Sequence, residues 1–286
     1  MVIDAHQHFW DPARADYPWQ EESEMVPIRR AFGPADLAPL LAENGVDATI
    51  LVQCRSSIEE TVDFLRVAGT TPFLAGVVGW VDLTDQAVGK TLDRLRGSPG
   101  GSKLVGIRHQ VHDEADPEWL LRGDVRRGLA AVFERDLAYD LLVRTRELPA
   151  AIATARAFPN GRFVLDHAAK PPIAEGFSRQ WADCLAELAA GGNVWCKISG
   201  LATEAVWNDW DANRLFPSIE HAAQCFGGDG LIFGSDWPVC LLAGSYDKIK
   251  RALDECLMRL GSHVHDKALG PNAQYVYRLP VEQGHN

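Results

Sequence analysis

Basic residues are scarce in this chain: Lys and Arg number 28 against 39 Asp and Glu, a formal net charge of -11 over 286 residues. Nucleic-acid binding draws most of its affinity from cations that neutralise phosphates, so this balance argues against a polyanion partner. No apolar run approaches the roughly 20 residues that span a bilayer, and no charged and then apolar leader precedes Val2. The expectation is a cytoplasmic protein without a membrane partner. Six cysteines are present, Cys54, Cys184, Cys196, Cys225, Cys240 and Cys256, but none forms a CxxC pair. Their apolar or helical surroundings point to reduced core thiols and away from a disulfide framework. Internal repeats, low-complexity segments and linker-like stretches are also missing, which leaves one domain over residues 1–286.

What is present is alternation. Short β-branched runs recur at Val2–His6, Ala48–Cys54, Phe73–Val81, Leu104–His109, Tyr139–Arg144, Phe163–His167, Val194–Ile198 and Leu231–Ser235, with helical patterns between them. About eight parallel βα units are the number that closes a (β/α)8 barrel of the TIM type. Helices are expected over 34–45, from a Ser57-x-x-Glu60 capping box onward, and over 124–136, 148–158, 178–190, 215–226 and 245–260. A closing helix is expected over 264–279 and a frayed tail over 280–286. Three connections, 9–33, 110–123 and 200–214, are too long and too rich in Trp, Asp and Pro for simple turns. All three follow strands, so in a barrel they lie on the catalytic rim.

The polar residues that matter fall at strand ends. His6 and His8 share a face of the first strand, because positions i and i+2 agree. With His167 and Asp236 they make a mixed nitrogen and oxygen set for one divalent ion, zinc before others, with a position left open. Lys197 stands inside the apolar run Val194–Ile198, where a charge is expensive without a partner, and this points to a site role. His109 fits a substrate contact or a supporting hydrogen bond, and Arg108 and Arg144 fit substrate clamps or structural ion pairs. Trp10, Trp80 and Trp237 lie at or beyond strand ends, where their rings can wall a pocket. His112, His221, His263, His265 and His285 fall in loops, helices or the tail, where a solvated face is the default.

Five motifs in order, Asp4-Ala5-His6-Gln7-His8-Phe9-Trp10, Gly106-Ile107-Arg108-His109-Gln110, Leu165-Asp166-His167-Ala168-Ala169-Lys170-Pro171, Cys196-Lys197-Ile198-Ser199-Gly200 and Phe233-Gly234-Ser235-Asp236-Trp237-Pro238-Val239, resemble the amidohydrolase-2 branch of the amidohydrolase superfamily. Within that branch the chain is similar to the sugar-acid lactonases, over residues 2 to about 279. The resemblance implies a distorted barrel that hydrolyses an aldono-lactone of the L-fucono or L-galactono type, a small neutral substrate suited to an acidic protein. It implies a single metal or none, and no organic cofactor. The chain departs from the superfamily's two-metal pattern, since Leu142-Val143-Arg144 offers no histidine.

In this reading Asp236 is general base and then general acid. His6, His8 and His167 hold a metal or donate hydrogen bonds to the developing oxyanion, and His109, Arg108 and Lys197 add positive charge. The rivals are a metal-dependent amidohydrolase or decarboxylase acting on a small carboxylic substrate, and a non-catalytic sugar-acid-binding protein. Monomer and homodimer are both compatible with the sequence.

Overall fold

The computed structural model describes residues 1–280, so the expected fray over 280–286 and His285 lie largely or wholly outside the described residues. Strands and helices alternate in the order β1 (Ile3–Gln7), α1 (Pro34–Glu43), β2 (Ala48–Val52), α2 (Ile58–Thr70), β3 (Leu74–Gly79), α3 (Val88–Arg96), β4 (Leu104–His109) and α4 (Gly123–Glu134). The second half continues with β5 (Ala138–Leu141), α5 (Leu148–Ala157), β6 (Phe163–Leu165), α6 (Arg179–Ala189), β7 (Val194–Ile198), α7 (Ala212–Phe226), β8 (Leu231–Phe233) and α8 (Tyr246–Arg259), and ends in α9 (Ser262–Ala268) and α10 (Pro271–Tyr277). The eight strands form one parallel sheet in sequential order, the distorted (β/α)8 barrel expected.

The strands are short and nearly all buried, which is why they read as continuous apolar runs and not as alternating ones. Expected strand ends overshoot by up to three residues because β5, β6 and β8 stop where the backbone turns to present polar groups. The expected closing helix is two helices. Pro271 opens α10, where its missing N–H costs nothing, and at Gly270 a Cβ would stand 2.2 Å from the Met1 carbonyl. Helix α3 had no sequence expectation.

The barrel closes between first and last strands by a few specific bonds. His6 O accepts from Asp236 N–H at 2.8 Å, Trp237 O accepts from His8 N–H at 2.7 Å, and the buried Asp4 carboxylate accepts from Ser235 N–H at 2.8 Å and from the Tyr246 hydroxyl at 3.0 Å. This seam, with the register shift on β1 between Asp4 and Gln7, sets His6 and His8 beside Asp236. At the other end α10 packs Ala273, Val276 and Tyr277 against inner residues such as Ile3, Ile50, Val78 and Val164. All six cysteines are unpaired, and among the described residues no helix is long and apolar enough to cross a membrane.

Helix α2 illustrates local encoding. The Ser57 side chain accepts from Glu60 N–H, as the sequence suggests, but the Glu60 carboxylate turns to the Cys54 and Arg55 amides and does not complete the box. Ser57→Ala should therefore cost about 1 kcal/mol of stability, read as a lower urea midpoint at unchanged slope. An unchanged midpoint would remove the cap from the account.

Candidate active site

The carboxyl-terminal mouth of the barrel gathers four groups. One ligand atom each from His6, His167 and Asp236 lie within 4.8 Å of one another, and all three residues are buried. His8 Nε2 stands 3.3 Å from Asp236 Oδ1, while His8 Nδ1 is 2.8 Å from the Val52 carbonyl. A carbonyl only accepts, so Nδ1 donates its N–H there and Nε2 is turned to the carboxylate. His6 repeats the pattern, with Nδ1 3.3 Å from Asp166 Oδ1 and Nε2 facing the centre. Imidazoles whose second nitrogen is held by a carbonyl or carboxylate are the usual metal ligands, so this donor set fits one divalent ion.

Beneath His6 lies a buried charge network. Lys197 Nζ is 2.6 Å from Asp140 Oδ2, 3.0 Å from Asp166 Oδ1 and 3.2 Å from His6 Nδ1. The Tyr277 hydroxyl donates to Asp140 Oδ2 at 2.7 Å, tying α10 to the network. Arg108 Nη1 donates to Asp166 Oδ2 at 2.9 Å. Two cations thus meet two carboxylates in the interior, which is how buried charges become tolerable. Burial opposes ionisation of Asp166, but Lys197, His6 and Arg108 outweigh it and hold the carboxyl well below the usual range. Burial pushes the His6 and His167 imidazoles well below the ordinary value, against the pull of Asp166 on His6 and of Asp236 on His167.

Asp236 resists the same burial. His167, His8 and Lys170 together outweigh desolvation and keep its carboxyl below the ordinary range, so it is ionised at neutral pH. Its backbone φ is 60°, and His167 to Lys170 run through four successive left-handed residues, at φ of 54°, 47°, 59° and 52°. Each such non-glycine residue costs about 1–2 kcal/mol. The turn is held by the Trp181 indole, which donates to the Ala168 carbonyl at 2.7 Å, and by the Ser199 hydroxyl, 2.9 Å from His167 Nδ1.

Above this floor opens a cleft of about 380 Å³, within the range of small-molecule sites. Arg108, Arg144, Lys170 and His167 line it, with Trp19 and Met25 from the connection after β1 and His112 and Asp113 from that after β4. A larger hollow of about 600 Å³ along Val206–Arg214 holds none of the central groups.

Several expected roles do not match these positions. Lys197 is fully buried and does not reach the cleft. His109 turns away because side chains alternate along β4 and Arg108 takes the inward position. Its Nδ1 accepts from the Trp80 indole at 3.0 Å, its Nε2 pairs with Glu114 at 2.8 Å, and its ring stacks on Trp119 at 4.2 Å. His109 and Trp80 thus anchor the connection that carries His112 and Asp113. Trp10 and Trp237 are buried among Phe9, Phe32 and Trp19, where large rings hide most surface, and it is Trp19 that faces the cleft. Arg144 is on the cleft, with its guanidinium 3.3 Å from Glu204, which also pairs with Lys170 at 3.0 Å. His112 is no solvated loop residue: it lines the cleft, and burial, followed by Lys170, Arg144 and Arg108, pushes its imidazole down to about 3. Asp140, Tyr277, Glu204 and Trp181 had no sequence expectation, since each acts through partners distant in the chain.

A parallel barrel with histidines from its first and sixth strands, an aspartate after its eighth and a cleft above them has the architecture of an enzyme site. The chain belongs to the amidohydrolase family, whose model matches residues 3–279. An L-fucono-1,5-lactonase of Burkholderia ambifaria is 43% identical over 99% of this chain and 97% of that protein. A second L-fucono-1,5-lactonase, of Burkholderia multivorans, is 39% identical over 98% of this chain and 97% of its own length. The crystal structure of an amidohydrolase from Burkholderia multivorans with bound zinc superposes with a TM-score of 0.93 at 38% identity, covering 98% of this chain and 100% of that one.

Proposed function

We propose that this protein hydrolyses L-fucono-1,5-lactone, or a lactone differing from it at one substituent, to the open sugar acid. The observation that carries the reading is the buried, ionised Asp236 at the floor of the cleft, in a chain 43% identical to an L-fucono-1,5-lactonase. Asp236 takes a proton from water as the water oxygen adds to the lactone carbonyl carbon. The negative charge that forms on the carbonyl oxygen is met by the cationic wall of Arg108 and Lys170. When the carbon to ring-oxygen bond breaks, Asp236 returns its proton to that oxygen, freeing a hydroxyl and a carboxylic acid. The acid ionises at neutral pH, so turnover releases one proton. His6, His8, His167 and Asp236 would hold a zinc ion, which when bound supplies positive charge at the carbonyl. His109, Lys197 and Trp80 position other groups and do not touch substrate.

The test is indicator-monitored proton release on L-fucono-, L-galactono- and D-arabinono-lactones, with protein as purified and after chelation. Turnover of the L-fucono substrate supports the reading; absence of turnover on every lactone, with and without added zinc, removes it.

The pH dependence follows from Asp236. A base whose carboxyl lies below the ordinary range stays charged as pH falls, and function is lost only when pH passes through that lowered value. The kcat/KM profile should hold level from neutrality to about pH 5 and turn down below the usual carboxylate range. An acid limb centred above about pH 5 would assign the base to another group.

A further inference from the structure

Arg108 reaches the nitrogen of His6 that faces His167 and Asp236. Its guanidinium is buried, with Nη1 3.2 Å from His6 Nε2 as well as 2.9 Å from Asp166 Oδ2, and Nη2 3.2 Å from Gln53 Oε1. A neutral imidazole has one N–H and one lone pair. Both cations beside His6, Lys197 at Nδ1 and Arg108 at Nε2, can only donate. In the tautomer that can take an ion the ring proton is on Nδ1, 3.3 Å from Asp166 Oδ1, and Lys197 turns to Asp140 and Asp166. The remaining lone pair is on Nε2, and Arg108 Nη1 donates to it. That is the lone pair His6 would need to bind an ion together with His167 and Asp236.

One lone pair serves one partner. We infer that Arg108 is a displaceable internal occupant of the metal site, so that zinc binds His6 only when the guanidinium withdraws from Nε2. A second observation favours a guanidinium with somewhere to go: Arg108 Nε is buried without a hydrogen-bond partner, and Arg108 also lines the cleft. Its present pose therefore leaves one donor unmet. In the metal-free protein the arginine supplies fixed positive charge at His6 Nε2, and zinc and the guanidinium exclude each other there. The apparent zinc affinity is the intrinsic affinity reduced by the fraction of molecules in which Arg108 has moved aside.

The experiment reads zinc and not lactone turnover, so it stands apart from the lactonase reading. Zinc affinity is measured by competition with a chromophoric chelator for the wild type, Arg108→Met and Arg108→Lys. Methionine fills similar space without donors, and Arg108→Met should bind zinc at least tenfold more tightly. Arg108→Lys retains the charge on a shorter reach and separates loss of the specific contact from loss of charge; it too should tighten binding, by less. Equal or weaker zinc binding in a folded Arg108→Met overturns the inference. Should that variant fail to fold, the zinc-soaked crystal of the wild type decides. His6 Nε2 on zinc with Arg108 Nη1 withdrawn supports the competition; zinc on His6 with Nη1 still in hydrogen-bond range, or zinc bound without His6, overturns it.

Discussion

Asp236→Asn is expected to lower kcat by about 10³-fold or more, with the fold intact. The amide has nearly the shape of the carboxylate but cannot take a proton from water, and it removes the negative charge that His8 and His167 face. The backbone has no reason to object. Asparagine is among the few residues that accept a φ of 60°, and the bond that seals the barrel here runs from the Asp236 backbone N–H to His6 O, which the substitution keeps. Circular dichroism and a melting curve like those of the wild type, together with the loss of turnover, make the assignment. A folded variant within tenfold of wild-type kcat sinks it.

Gly200→Ala is the second large effect, and it works through geometry alone. Gly200 has a φ of 61°, and a Cβ there would stand 2.6 Å from His167 Nδ1 and 2.8 Å from Asp236 Oδ2, closer than real Cβ atoms approach. The methyl group must push both central side chains, and a displacement on the order of 1 Å costs about 10²-fold in rate. The left-handed backbone adds about 1–2 kcal/mol of destabilisation. Steady-state kinetics beside urea unfolding separates the two: kcat should fall at least 10²-fold while most of the protein remains folded. Unchanged kcat would mean that neither His167 nor Asp236 needs its present position.

The architecture was legible because the eight strands are short apolar runs with helices between, the number that closes a parallel βα barrel. Helix α3 escaped because nothing announces its start: Ala87 is a poor cap and Gly89 weakens the first turn, although Val88, Leu92 and Leu95 carry the helical repeat. At the site, residues adjacent to strand ends were legible, which is why His6, His167 and Asp236 stand together as their spacing suggests. What was not legible was direction. Arg108 and His109 are neighbours in sequence yet face opposite sides of β4, and nothing local separates a tryptophan that lines a cleft from one that fills the core beside it. The partners of Lys197 were equally hidden, because Asp140 is 57 residues away and reaches Tyr277 a further 137 residues on.

That last connection bears on how the molecule comes into being. Synthesis runs from the amino terminus, so His6 and His8 are made well before the groups that complete their surroundings. They gain Asp236 only when the eighth strand arrives to seal the seam, and the Asp140 that pairs with Lys197 gains its Tyr277 donor only when α10 has docked. The nascent polypeptide therefore carries these histidines without a complete centre until β8 and α10 have been made and have docked.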